Sequence, residues 1–203
     1  MMNRVLILYP KEFACLPKFE RKVGKILSRL ESFEVVYFED PRGFIAEAFK
    51  TDQRCKGLRK VNSLEGVTNC IVFDDGEVFV SEREAIEQAE IPYRYIKIKI
   101  TRVINIKKEP KYANLRSTPT YEYIGRGSDW GNPYSMFDDS GDGLEGREEV
   151  IRKYRYDFER GFLKRSKDDA LALAGKRLGC FCKPEACHGD VIAEYLNAYD
   201  DGE

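Results

Sequence analysis

Cys180, Cys182, Cys187 and His188 fall within nine residues, in the run KRLGCFCKPEACHGDVIAEYLNAY from Lys176 to Tyr199, and His188 is the sole histidine of a 203-residue chain. Two chemistries fit this cluster. In one, Cys180, Cys182, Cys187 and His188 bind zinc, which takes four sulfur or nitrogen ligands in a tetrahedron. Neighbouring residues at a helix start rarely aim at one metal, so three cysteines with a ligand from elsewhere are a variant of that reading. In the other, Cys187 is a thiolate nucleophile or His188 a general acid or base, with Asp190 near enough in sequence to orient or polarise either. The plain structural alternative makes the cysteines small core residues and His188 a helix cap.

A second constellation is Gly125-Arg126-Gly127-Ser128-Asp129-Trp130-Gly131-Asn132-Pro133. Glycines after a strand let backbone N–H groups approach a ligand closely, Arg126 offers a two-pronged donor for phosphate or carboxylate, and Trp130 offers a flat face for a base. Arg126, Gly127, Ser128, Trp130 and Asn132 are therefore the candidate substrate-binding residues, with Asn132 reading polar edges. The bland counterpart is a glycine-rich turn with Trp130 as core filling and Arg126 in an ion pair.

The elements that must position these groups are legible in the hydrophobic pattern. Arg177 to Cys182 reads as a short buried strand that sends Cys180 and Cys182 to one face, with Phe181 packing behind. Asp190 to Tyr199 reads as a helix, which puts Cys187 and His188 at its mouth, where unpaired N–H groups and the positive dipole end favour a thiolate or anion. Tyr121 to Ile124 is a strand feeding the glycine turn. A helix from Arg147 to Leu163 buries Val150, Ile151, Tyr154, Phe158 and Phe162, and a shorter one starts at Ser166 with Asp169 closing a capping box. Asp138 to Gly146 is an acidic, glycine-rich connection.

The front of the chain alternates strand and helix. Arg4 to Tyr9, Phe33 to Phe38 and Cys70 to Phe73 are core strands. Phe19, Val23, Ile26, Leu27 and Leu30 mark one helix, Phe44, Ile45, Ala48 and Phe49 a second opened by Asp40-Pro41, and Ala85, Ile86 and Ala89 a third capped by Ser81 and Glu84. Lys50 to Lys60 reads as a basic solvated loop, with phosphate contact as its sharper reading. Pro92 to Ile106 alternates as one long strand with one wet face. The expected fold is α/β: a Rossmann-like, mainly parallel sheet over residues 1–107, a linker over 108–120, and a smaller α/β domain over 121–203 carrying the cysteine and histidine motif.

Composition narrows the function classes. With 42% hydrophobic and 12% aromatic residues the chain has the makings of a core, and no apolar run reaches the ~18 residues of a membrane helix, so a cytoplasmic protein without membrane partners is expected, in the host cytoplasm if viral. Three cysteines scattered singly and three clustered do not form a disulfide framework. Residues 1–120 hold 22 Lys and Arg against 17 Asp and Glu, and residues 121–203 hold 12 against 18. That polarity either aligns the halves or turns the front towards an anionic ligand, and it is too small to imply nucleic-acid binding by itself.

Two resemblances add to this reading. The strand from Val67 ending in Asp74-Asp75-Gly76, followed by a helix before Ile91-Pro92, resembles the last unit of the Rossmann-type nucleotide-binding families known as SLOG-like. The turn after the first strand, Tyr9 to Phe13, has no glycine, which argues against a pyrophosphate cradle there. YIGRGSDWGNP, the helix from Arg147, GKRLGCFCKP and CHGDVIAEYLN are together similar to an uncharacterised domain family of bacteria and phages, whose pattern is R-G-S-x-W-G-N-P followed by C-x-C-x-P-x-x-C-H-G-D. That resemblance implies the site and no reaction. The leading expectation is an enzyme acting on a nucleotide, nucleoside or nucleobase, in phage nucleic-acid modification or nucleotide metabolism, with no certain cofactor and zinc as the alternative. The alternatives are a zinc-stabilised module binding nucleic acid or protein through Lys50 to Lys60, and a nucleotide sensor.

Overall fold

The structure, a computed structural model, describes residues 2–135 and 146–202. It divides into two compact units, residues 1–98 with 198–203 and residues 99–197. The acidic stretch 138–145, expected as a connection, lies outside the described residues.

The first unit is an α/β layer structure. Strands β1 (Asn3–Leu8), β2 (Phe33–Tyr37), β3 (Cys55–Lys60), β4 (Asn69–Asp74) and β5 (Tyr93–Lys97) form one parallel sheet in the order β3-β2-β1-β4-β5. Helices α1 (Leu16–Leu27), α2 (Phe44–Phe49) and α3 (Val80–Gln88) alternate with the strands. Because strand side chains alternate, Leu6, Leu8, Val36, Cys70 and Val72 share a face with Ile86 of α3. The other face meets an aromatic cluster in which Phe19 stacks on Phe73 at 5.1 Å and Tyr9 on Phe44 at 5.4 Å. The Tyr9 hydroxyl donates to Asp40, whose carboxylate also accepts from the N–H groups of Ile45 and Ala46 at 3.2 and 3.0 Å. Asp40 thus satisfies the first turn of α2, although Gly43, in the left-handed region, directly precedes the helix.

Three expectations change here. The basic stretch from Lys50 is not all loop, since β3 pairs with β2 as an edge strand. Its charges are committed, with Arg54 on Asp52, Arg59 on Glu34 and Lys60 on Glu39 at 2.7, 3.0 and 2.8 Å. Alternation of charged residues on a solvent-facing edge has too few apolar positions to read as a strand. Ser81 lies inside α3 and donates to Glu82, while the residue before the helix is Phe79 with φ +59°. Pro92 to Ile106 breaks into β5 and a separate β6 (Arg102–Asn105), which belong to different sheets.

The second unit has a four-stranded sheet in the order β6-β9-β8-β7, built with β7 (Ser117–Thr118), β8 (Tyr121–Tyr123) and β9 (Arg177–Cys180). Strand β9 runs parallel to both β6 and β8, and β7 is antiparallel to β8. Helices α4 (Arg147–Arg160), α5 (Lys167–Ala170) and α6 (His188–Ala198) pack a core of Ile124, Trp130, Tyr154, Phe158, Leu178 and Ile192, among others. Residues 108–120 hold the 3-10 turn Pro110–Tyr112 and strand β7. The capping box of Ser166 and Asp169 is present. Phe162, expected in the core, is 68% exposed, because α4 stops at Arg160 and Gly161 turns the chain out at φ +74°. Before β6, buried Thr101 exchanges hydrogen bonds with the Asn197 amide at 2.8 and 3.0 Å and accepts from Gly175 N–H at 2.9 Å. Among the described residues no helix is long and apolar enough to cross a membrane.

Candidate functional site

The strand β9 ends at Cys180, and the turn that follows brings the chain back to α6 at Cys187. Asn105, the last residue of β6, fixes this turn by donating from its amide to the carbonyl oxygens of Phe181 and Lys183 at 3.1 and 2.6 Å. The result is a three-cysteine corner: the sulfurs of Cys180, Cys182 and Cys187 all lie within 4.8 Å of one another, and Cys180 Sγ is 3.6 Å from Cys182 Sγ. Cys187 precedes α6 and acts as its cap. Its Sγ accepts from Gly189 N–H at 3.2 Å, and its own N–H donates to Asp190 Oδ2 at 2.9 Å, a reciprocal arrangement of the capping-box kind. Lys183 pairs with the other Asp190 oxygen at 2.6 Å. Asp190 therefore holds the helix start at Cys187.

His188 lines the cavity beside the cysteines and is held by contacts of its own. It is 6% exposed, its Nε2 lies 2.8 Å from the Ile124 carbonyl oxygen, and its ring meets Tyr154 edge-on at 5.0 Å. A carbonyl only accepts, so Nε2 carries the proton. Burial lowers the pKa of the imidazole. His188 does not join the sulfurs as a fourth close ligand atom. The close approach of α6 to the sheet needs Gly189, since a Cβ there would overlap Ile124 Cδ1 and lie 3.1 Å from Val103 Cγ2.

The thiols share protons unequally. A hydrogen bond from Cys187, helped by the N–H of Cys182, draws the Cys180 thiol down to about 5, and the same contact together with burial pushes Cys187 up. Burial also raises Cys182, against a hydrogen bond from Arg147. The corner thus favours one thiolate at Cys180 stabilised by its neighbours, before any cation is considered. Cys180 and Cys187 are 4% and 2% exposed, which makes half-buried Cys182 the most open of the three.

The glycine turn is built by its own backbone. Ser128 N–H donates to Gly125 O at 3.0 Å, Gly131 N–H to Ser128 O at 3.1 Å, and Gly127 sits at φ +89°. Gly131 has no room for a side chain, because a Cβ would come within 2.9 Å of Gly125 O. Several expected ligand groups are occupied in holding this turn. Ser128 Oγ accepts from Trp130 N–H at 3.3 Å, and the Asn132 amide bridges Val150 O and Tyr134 N–H at 3.2 and 2.9 Å. Trp130 is 8% exposed, with its carbonyl accepting from Tyr154 at 3.0 Å, so its ring serves the core and has little free face for stacking. Asp129 pairs with Lys164 and Arg165. Arg126 is the exception, exposed and with no ion pair among the described residues.

The turn and the corner open on one space. A cavity of about 180 Å³ is lined by Cys180, Cys182, Cys187 and His188 together with Arg126, Asn132 and Arg147. A second cavity of about 500 Å³ adjoins it through Arg126 and Asn132 and is lined also by Trp130, Lys164 and Arg165. Arg147, which the sequence showed only as a helix start, is a site residue: it donates to Ala186 O at 3.1 Å and reaches the Cys182 thiol. No spacing rule marks it, because its role depends on the turn between β9 and α6. Soft-metal chemistry fits the donor set, three sulfurs around one point, and coordination would deprotonate all three.

Comparison with known proteins divides the chain in a similar way. Residues 2–104 match the minimal SLOG domain, and residues 104–198 match a domain of unknown function, DUF4326. The chain is similar to an uncharacterized 12.4 kDa protein in the nrdA-td intergenic region of Enterobacteria phage T4, at 39% identity over 80 residues. That match covers 36% of this chain and 65% of the phage protein. No solved structure matches the chain. The two resemblances read from the sequence, to SLOG-like domains and to an uncharacterised bacterial and phage domain, agree with these matches at that level. Through residues 2–104, about half of its length, the chain belongs to the minimal SLOG domain family.

Proposed function

We propose that the protein is an enzyme acting on a nucleotide, nucleoside or nucleobase, with the three-cysteine corner as its reactive centre and Arg126 as the anchor for the ligand's phosphate. The observation that carries this reading is that three sulfurs within 4.8 Å of one another line the same cavity as two guanidinium groups, those of Arg126 and Arg147. SLOG domains are nucleotide-related, which associates the chain with this ligand class through residues 2–104, outside the cysteine corner. The thiol cavity is below the ~300 Å³ where sites for drug-sized ligands begin, so it takes a fragment such as a base while the adjoining 500 Å³ cavity takes the remainder.

The corner suits a zinc ion. Four ligands at the usual zinc–sulfur length stand about 3.8 Å apart on the edges of a tetrahedron. The 3.6 Å between Cys180 and Cys182 is close to that edge. Among the described residues no fourth Cys, His, Asp or Glu lies within the same distance of the three sulfurs. Three protein ligands would leave a zinc ion room for water or substrate, as reactive sites do, and the cavity beside the sulfurs would admit it. Bound there, the ion supplies Lewis acidity and a more acidic water. The chain's own groups do the rest. Arg126 clamps phosphate with paired N–H donors, Arg147 places positive charge beside Cys182, and His188 and Asp190 hold the corner's geometry.

Nucleotides, nucleosides and bases incubated with the wild-type chain and with Cys182→Ser test the proposal by product analysis. Conversion of one of them by the wild type, lost in the serine variant at unchanged folding, is expected. Equal conversion by both proteins overturns it.

A further inference from the structure

A third hollow, of about 400 Å³, meets the thiol cavity at two shared residues, Arg126 and Phe181. Phe181 stands between Cys180 and Cys182, and its ring, 49% exposed, lines both hollows. Strand β9 has ended, so the alternation that would have buried it no longer applies. Its ring packs edge-on to Tyr123 at 6.3 Å, Lys107 lies 5.6 Å over it, and Arg116 lies 5.7 Å over Tyr123. Tyr112, in its lining, stacks on fully buried Tyr121 at 4.6 Å. Among the described residues no acidic side chain lines this groove. Lys107, Arg116 and Arg126 have no carboxylate partner among the described residues. In the 500 Å³ cavity, by contrast, Lys164 and Arg165 both pair with Asp129, and a second carboxylate, Asp157, lines the wall.

We infer that this groove binds single-stranded nucleic acid, with bases stacking on Phe181 and Tyr123, phosphates following Lys107, Arg116 and Arg126, and one nucleotide led past Arg126 to the three-cysteine corner. The inference rests on the proposed function for its last step and on the groove alone for the rest. An exposed Phe181 ring beside half-buried Tyr123, with cations that have no carboxylate partner among the described residues, suits a flexible strand with unstacked bases, and a duplex, whose bases are stacked inside, offers the rings nothing. An acidic polypeptide matches the charge and leaves the rings unused. The basic stretch at Lys50 to Lys60, the earlier candidate for this partner, has its Arg54, Arg59 and Lys60 in ion pairs and presents no comparable surface.

Fluorescence anisotropy of a short labelled single-stranded oligonucleotide, its duplex, and polyglutamate as competitor tests this on the full chain. Single strand should bind in preference to duplex, and Phe181→Ala should weaken it by about tenfold or more. Arg116→Ala should lower the slope of log affinity against log salt by about 0.7. Both side chains are exposed, so both variants should fold. Equal binding of duplex, displacement by polyglutamate, or unchanged binding by Phe181→Ala overturns the groove. If mononucleotides bind at Arg126 and oligonucleotides do not, the groove falls and the proposed function stands. If oligonucleotide binding depends on Phe181 while Cys182→Ser keeps full turnover, the groove stands and the proposed reaction falls.

Discussion

His188 Nε2 lies 2.8 Å from the carbonyl oxygen of Ile124, and this bond joins the first turn of α6 to the residue that follows β8. It connects the two halves of the site, the cysteine corner and the glycine turn, through one buried imidazole. His188→Ala leaves that carbonyl unpaired in a dry interior and should cost about 1–3 kcal/mol of stability by chemical denaturation. A variant as stable as the wild type but inactive would instead make His188 a proton-transfer group.

Gly189 lets α6 approach the sheet so closely that a single methyl group meets Ile124 and Val103. Gly189→Ala should therefore destabilise the protein by roughly 1–3 kcal/mol, as overpacking does. Unchanged melting would show that α6 moves freely away from the sheet.

Metal content follows from the corner. The purified protein should hold one zinc per chain by elemental analysis, Cys182→Ser should hold much less, and chelation should lower the melting temperature, because an ion bound only by the folded state adds to its stability. Full zinc occupancy in a variant with all three cysteines replaced by serine would place the ion elsewhere.

Arg126→Ala removes an exposed cation with no ion pair among the described residues, so the melting temperature should stay unchanged. Affinity for a mononucleotide should drop by about tenfold or more, the usual loss for a charged hydrogen-bonding partner. Calorimetric titration reads this directly, and equal affinity would move the phosphate to another site.

Asp129 tethers the glycine turn to Lys164 and Arg165, and hydrogen bonds first from Lys164 and then from Arg165 hold its carboxyl below the ordinary carboxylate range. With the folded pKa depressed, its contribution is complete above the unfolded value of about 3.9 and is lost as pH falls through the folded value. Asp129→Asn should melt below the wild type at neutral pH, and the difference should shrink at more acid pH. A difference that does not change with pH would mean that Asp129 acts by shape alone.

The α/β class was legible because the apolar runs at Val5 to Leu8, Val35 to Val36 and Cys70 to Phe73 have few alternatives to buried parallel strands. Strand β3 was not, since edge strands face water and lose the apolar signature. The break between β5 and β6 escaped because it depends on Thr101 meeting Asn197, 96 residues away. At the site, the spacing singled out the cysteines and Arg126, which the fold brings to one cavity. It did not show that Asn132, Ser128 and Trp130 would be used in building the turn, because backbone partners of a side chain have no sequence pattern. Phe181 was expected to pack behind the cysteines, and its exposure follows from where β9 stops, a boundary that local pattern places only to within a few residues.

The most direct test of the account is turnover of a nucleotide panel by the wild type and by Cys182→Ser, measured side by side on proteins with matched circular dichroism. The account predicts product from at least one nucleotide, nucleoside or base with the wild type and none with the serine variant. Undiminished turnover in a folded Cys182→Ser protein would contradict it.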